Sequence, residues 1–323
     1  MKHQDCLICS LHGRTGDFKE VTRETREGKG LWVRCRHCGL VINFSGVKSD
    51  EQRQFYNDEY VRANSYEQGK SLSPREHFES RLPSIKGAAL TIQEFLKPDM
   101  RIFELGAATG ELLYLLKDKV SYLYGNEINE QFAEFIHDEL KIDSSSANYL
   151  DLMFDKPFDL AIAINTIDHI DNPLPFLQKL NDDLSPGGLL YIETPNDGQA
   201  LKECLPEPGR SAFRQFMYQR AHYFSFTADT IRQLLEKLGF EVIFVKSRHD
   251  YTLLNYLRWH LGGGPQKSFK AATTVSRFHD ENTEFGRQMN NLMENADAEF
   301  RHIMAQTGRG ETLCVLAQRP CKK

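Results

Sequence analysis

Two hydrophobic periods alternate along most of the chain. Ile85, Ala89, Ile92 and Leu96 recur at spacings of three and four, which predicts a helix over 82–97 ended by Pro98. Leu174, Leu177, Leu180 and Leu184 predict a second over 173–184. Ile231, Leu234, Leu235 and Leu238 predict a third over 228–238, with Gly239 as its stop. Short apolar runs lie between them: 101–105, 122–126, 158–164 and 189–194, then 241–245 and 312–317. Each has the length of a buried strand, and Ser185-Pro186-Gly187-Gly188 reads as a turn before one of them. Strands alternating with helices predict an α/β fold with a parallel sheet. Residues 250–308 interrupt the pattern. There Phe285, Met289, Leu292, Met293, Ala296, Phe300, Ile303 and Met304 mark one apolar helix face.

The first strand runs into Glu104-Leu105-Gly106-Ala107-Ala108-Thr109-Gly110. Gly106 allows a sharp turn, and Gly110 lets the next helix begin close to a ligand. Helix N-terminal amides then face whatever is bound. The spacing is not that of a dinucleotide fingerprint. A carboxylate ahead of the first glycine would repel a pyrophosphate and would suit an ammonium. Glu127, at the end of the second strand, lies 17 residues past Gly110, where a ribose-binding acid sits in doubly wound folds. A ligand with a ribose, an amino-acid ammonium and no phosphate is S-adenosylmethionine.

These segments, together with Phe158-Asp159, Asp168-His169-Ile170, Pro186-Gly187-Gly188 and Thr194-Pro195-Asn196, resemble class I S-adenosylmethionine-dependent methyltransferases. The resemblance covers roughly 82–247 plus the last strand. It implies a Rossmann-like seven-stranded sheet whose last strand is antiparallel, with 250–308 inserted before it. It also implies cofactor contacts from Glu104, Gly106, Gly110, Glu127, Ile128, Asn148, Tyr149 and Asn165. Acceptor-side histidines follow from it too: His222 in Ala221-His222-Tyr223-Phe224, and His169. Either is a candidate base, since a hydroxyl or amine nucleophile must lose a proton. Tyr56, Tyr60 and Tyr223 are candidates for lining the acceptor pocket.

The N-terminal segment carries Cys6-x-x-Cys9 and Cys35-x-x-Cys38, a spacing that predicts a structural Zn²⁺ site of four thiolates. His3, His12 and His37 are then expected at the surface. The pairs, followed by the aromatic segment 54–60, look like the zinc-bearing branch that includes sugar C-methyltransferases. In that branch a glutamate precedes the catalytic histidine; here Ala221 stands in its place. The branch therefore leaves O-, N- and C-methylation open. The organisation expected is a zinc module over 1–50, an aromatic connecting or lid segment over 51–81, and the catalytic fold over 82–323.

Composition narrows the partners. The chain has 323 residues and a net charge of −5, with 40% hydrophobic and 26% charged residues. That is ordinary globular usage. With no basic stripe, nucleic acid is not the expected partner, although an RNA methyltransferase or a non-enzymatic scaffold of the same fold would share the motifs. No apolar run approaches the ~20 residues that span a bilayer. The start lacks the apolar stretch of a secretory signal, so a cytoplasmic location is expected. The expected acceptor is a small molecule (a sugar, nucleotide-sugar or secondary metabolite). The 250–308 insert is the candidate surface for a homodimer.

Overall fold

The computed structural model describes residues 5–46, the backbone of 66–67 and 70–71, and residues 72–278 and 280–321. The cysteine pairs flank an antiparallel sheet of β1 (Phe18–Thr25), β2 (Gly28–Cys35) and β3 (Val41–Asn43). A two-residue ladder, β4 (Tyr66–Glu67) with β5 (Lys70–Ser71), precedes the long helix α2 (Pro74–Gln93), α1 being Leu7–Ser10. The main sheet then takes up β6 (Arg101–Leu105), β7 (Tyr122–Asn126), β8 (Asp143–Ser145), β9 (Phe158–Ile164) and β10 (Leu184–Pro195). After a two-residue strand β11 (Phe224–Ser225), it is completed by β12 (Glu241–Arg248) and β13 (Thr312–Gln318).

Spatial order in the main sheet is β12-β13-β10-β9-β6-β7-β8. All neighbouring pairs among β8, β7, β6, β9 and β10 are parallel. β13 runs antiparallel to both β10 and β12. The order reverses between β6 and β9, and ligands of open α/β sheets sit at the carboxyl ends of strands at such a switch. Both faces are covered, which is why the strands read as continuous apolar runs. Phe103, Ala161 and Ile192 pack with Leu177, Leu180 and Leu234 on one side; Ile102, Leu160 and Ile162 pack with Ala89, Ile92 and Leu112 on the other. No described helix is long and apolar enough to cross a membrane.

Three local expectations are corrected. α2 starts at Pro74, not 82, because Ser73 and Glu76 form a capping box with proline in the first turn. Pro83 lies inside the helix and does not open it. Ser185–Gly188 belongs to β10, joined to its remainder through a register irregularity between Leu184 and Leu189. The helix over Glu284–Gln306 is present and buries only part of its expected face, with Met304 buried and Phe300 half-buried in one cluster with Trp259. Phe285, Leu292 and Ile303 are exposed, while Asn290 and Asp297 are buried. The Asn290 side-chain oxygen accepts from the Phe278 amide at 2.7 Å, and that of Asp297 from the Leu253 amide at 2.8 Å. Capping loop amides outweighs hiding three apolar side chains, because an unpaired buried amide costs more than an exposed side chain.

β11 pairs with β3 (Phe224 opposite Ile42, Ser225 opposite Val41), so the cysteine-flanked sheet includes a strand from the catalytic half. Asn43 ends β3 and is buried. Its amide nitrogen donates to the His222 carbonyl at 2.9 Å, and its backbone N–H to the Tyr223 carbonyl at 2.8 Å. Nearby, the buried Asp197 carboxylate meets Arg34 of β2 and Lys202, each at 2.7 Å, and accepts from the Tyr218 hydroxyl at 3.1 Å. Cys6, Leu7, Ile8 and Leu40 share one core with Phe224 and Phe226. Asn43→Ala removes a side-chain donor from buried carbonyls. It is expected to lower stability by about 1–3 kcal/mol in urea unfolding, with the midpoint falling and the slope unchanged; a loss below about 0.5 kcal/mol would show that the contact does not hold the segment.

Candidate functional site

The loop after β6 is built for close approach. Gly106 and Gly110 have φ of +73° and +79°. A Cβ on Gly106 would lie 2.4 Å from Thr166 Oγ1, and one on Gly110 would lie 2.9 Å from Ile136 Cγ1. Ala108 (φ +47°) and Asn165 (φ +48°), neither of them glycine, share the left-handed region. Such strain collects where the surroundings fix a backbone for a purpose. The Asn165 amide donates to the Glu193 carbonyl at 2.8 Å, which holds the end of β9 against β10.

Three carboxylates converge on this loop. Glu104 is 4% exposed, and its Oε2 has no hydrogen-bond partner among the described residues. Glu127 Oε2 accepts from the Ala108 amide and its Oε1 from the Asn129 amide, each at 2.9 Å. Glu111, buried at the start of the helix Glu111–Leu116, accepts from Thr109 Oγ1 at 2.7 Å. His77 Nδ1 lies 3.1 Å from Thr109 Oγ1 and 3.6 Å from Glu111. Burial pushes the Glu104 carboxyl well above its usual range, and Glu111 and Glu127 add to it. Burial pushes Glu127 up to about 7 against the pull of its two amides. No lysine or arginine ion-pairs with these acids among the described residues. Among the described residues the site is therefore short of positive charge.

The remaining cofactor candidates divide. Ile128 is half-buried beside Glu127, and Asn148 is exposed with its side-chain oxygen accepting from the Leu150 amide at 3.1 Å. The Tyr149 ring turns inward. It stacks on Phe103 at 4.9 Å, and its hydroxyl donates to Asp183 at 2.7 Å. Its side chain belongs to the core, because the 3₁₀ turn Tyr149–Asp151 points it beneath the sheet edge.

Beside the Gly106–Gly110 loop the structure gathers residues far apart in sequence. Asp168 and His169 follow β9, and His222 precedes β11. His169 Nε2 and His222 Nδ1 lie 3.7 and 3.8 Å from Asp168 Oδ2, and the two imidazoles meet edge to face at 4.4 Å. The Tyr223 amide donates to the Asp168 carbonyl at 2.7 Å, locking the two segments together. Burial lowers both histidines' pKa values, His222 furthest with His169 and Arg26 adding to it. Both imidazoles are thereby neutral near pH 7, the form that accepts a proton or a metal. Tyr223 is buried beside Gly46, while Tyr56 and Tyr60 lie outside the described residues. Asp168, Glu111 and His77 were missed by the sequence reading. Asp168 had a signal, standing next to His169; His77 had none.

The four cysteine sulfurs lie within 4.8 Å of one another, with Cys6–Cys38 at 3.3 Å and Cys9–Cys35 at 3.5 Å. Thiolates around Zn²⁺ at ~2.3 Å sit ~3.8 Å apart, so the donor set and spacing fit that ion. Crowding holds the Cys38 thiol low, at about 5, as Cys6 donates to it, and burial pushes Cys9 up to about 12. His12 and His37 are exposed, as expected, and His3 lies outside the described residues.

Residues 77–245, just over half of the chain, match a family model described as a methyltransferase domain. An uncharacterized methyltransferase of Staphylococcus carnosus is 26% identical over 111 residues, 32% of this chain and 52% of that protein. The chain thus spans about half the length of that curated relative. Among solved structures, a SAM-dependent methyltransferase from Archaeoglobus fulgidus is 18% identical, covering 76% of this chain and 97% of that one at a TM-score of 0.48. Magnesium protoporphyrin IX methyltransferase from Synechocystis, solved with bound SAH, is 11% identical, covering 84% and 100% at 0.48. With its family model matched from α2 into β12, the chain belongs to the methyltransferase-domain family.

Proposed function

We propose that this protein transfers a methyl group from S-adenosylmethionine to a small-molecule acceptor, a sugar, nucleotide-sugar or secondary metabolite. The observation that carries the reading is the set of carboxylates around the Gly106–Gly110 loop, with an unpartnered Glu104 oxygen and, among the described residues, no lysine or arginine to balance them. Glu104 is placed for the methionine ammonium, Glu127 for the ribose hydroxyls, and Ile128 and Asn148 for the adenine. When bound, the cofactor supplies an electrophilic methyl on a sulfonium. The chain's own task is alignment and removal of the acceptor's proton. Asp168, His169 and His222 are the groups for that second task, because the loop carrying Asp168 begins against Gly106. The four cysteines hold a structural Zn²⁺ that keeps the β3–β11 pairing in place.

Glu127→Ala removes two charge-assisted hydrogen bonds to the ribose. Its S-adenosylhomocysteine Kd, by calorimetry, is expected to rise ~30–100-fold, equivalent to about 2–3 kcal/mol. If wild-type protein binds NAD and not S-adenosylhomocysteine, the reading is wrong.

S-adenosylmethionine needs Glu127 ionised, and its free-protein value is about 7. Affinity should therefore strengthen roughly tenfold from pH 6 to pH 8, with proton release on binding. The ligand-free protein should show the opposite trend. A carboxyl raised from 4.5 stabilises the fold fully below about pH 4.5 and loses that contribution as pH rises through about 7. Glu127→Gln should flatten both trends; an unchanged profile would remove Glu127 from the site.

Chelating the zinc should unfasten more than the N-terminal segment. Hydrogen exchange is expected to accelerate across 18–45 and also across 219–226, while β6, β9 and β10 keep their protection. Loss confined to 18–45 would mean that the module does not hold the His222 segment.

A further inference from the structure

Asp168 is completely buried, yet neither carboxylate oxygen has a hydrogen-bond partner among the described residues. His169 Nε2 at 3.7 Å and His222 Nδ1 at 3.8 Å lie beyond hydrogen-bond reach, and the buried Thr194 hydroxyl, itself without a partner among the described residues, also bears on the carboxylate. An unsatisfied buried carboxylate is costly, and an ion is one of the few things that removes the cost. The three donor atoms surround one point, all within 4.8 Å of each other. Around a tetrahedral ion with bonds of ~2.0–2.1 Å they would stand ~3.3 Å apart, so each need move inward by only a few tenths of an ångström.

We propose that Asp168, His169 and His222 bind one divalent first-row transition ion, separate from the four-cysteine site. Two neutral imidazoles and one carboxylate suit Zn²⁺, Fe²⁺, Co²⁺ or Mn²⁺ and are a poor set for Mg²⁺, which demands oxygen. Three protein ligands leave coordination positions open, the arrangement of a catalytic site rather than a structural one. The site is held from both sides of the fold: Asp168 and His169 by the end of β9, and His222 by Asn43 of β3.

For its chemistry this inference rests on the methyl-transfer reading; the ion site itself does not. An acceptor hydroxyl held by the ion has a lowered pKa and gives its proton to bulk water. Its oxygen then attacks the methyl carbon. The new O–C bond takes the oxygen's electron pair, the C–S bond breaks onto sulfur, and the sulfonium becomes a neutral thioether. The histidines act as ligands, so no free imidazole has to carry the proton.

The test uses full-length protein carrying one zinc on its cysteines. Co²⁺ is added, and binding is followed by calorimetry and visible absorption. One further ion per chain is expected, with weak ligand-field bands and without the intense charge-transfer band of thiolate ligation. Asp168→Asn, nearly isosteric, and His222→Gln, nearer the surface, should each weaken Co²⁺ binding at least tenfold while keeping one zinc and the wild-type melting curve. Absence of a second ion, or binding that survives both substitutions, overturns the proposal. S-adenosylhomocysteine binding is measured in parallel. A chain that binds Co²⁺ at this trio and not the thioether keeps the ion site and loses the methyl-transfer reading. A chain that binds the thioether and no Co²⁺ overturns the ion site and returns the proton to a histidine base.

Discussion

The position of His222 depends on the pairing of β3 with β11. Two backbone registers and the Asn43 side chain tie the four-cysteine segment to the stretch carrying His222. A short two-residue strand is weak alone and gains its order from the sheet it joins. The cysteines lie at the turns at one end of that sheet, and the cluster of half-exposed Arg34 with buried Asp197 and Lys202 fixes its side against the α/β half. Replacing such a buried ionic cluster with apolar groups often costs little, whereas removing one member leaves an uncompensated charge. Its contribution here is register and placement more than stability. In the function proposed above, an ion on the cysteines would act indirectly, by holding the segment that carries His222.

The cofactor side obeys a different constraint. Glu104, Glu111 and Glu127 are crowded together, and their raised proton affinities record the cost. A protein meets such a cost where a ligand later offsets it. A sulfonium and an ammonium are the charges that would do so. The left-handed backbone at Ala108 and Asn165 marks the same region, at the carboxyl ends of the paired strands β6 and β9.

Much of this was legible because it is local. Gly106, Gly110 and Glu104 lie within one turn, and Glu127 follows at the end of the next strand. The apolar runs marked β12 and β13 as strands despite a long insertion, while their antiparallel pairing followed only from the family resemblance. Other features depended on contacts that local pattern does not carry. Asn43 reaches His222 across 179 residues. Asp168 and His222 come from separate loops. Tyr149 was a cofactor candidate from its place in the chain, but the turn that carries it directs its ring onto Phe103. In the helix over 284–306, spacing predicted the apolar face, while Asn290 and Asp297 decided the orientation by capping loop amides. Periodicity counts side chains; it does not see which backbone amides elsewhere need an acceptor.

The most direct test of the central claim is a crystal structure with S-adenosylhomocysteine. The account predicts the amino group beside the unpartnered oxygen of Glu104 and both ribose hydroxyls on Glu127. It also predicts the sulfur facing the loop that brings Asp168, His169 and His222 together. A ligand bound away from the Gly106–Gly110 loop, or a ribose that leaves Glu127 uncontacted, would contradict it.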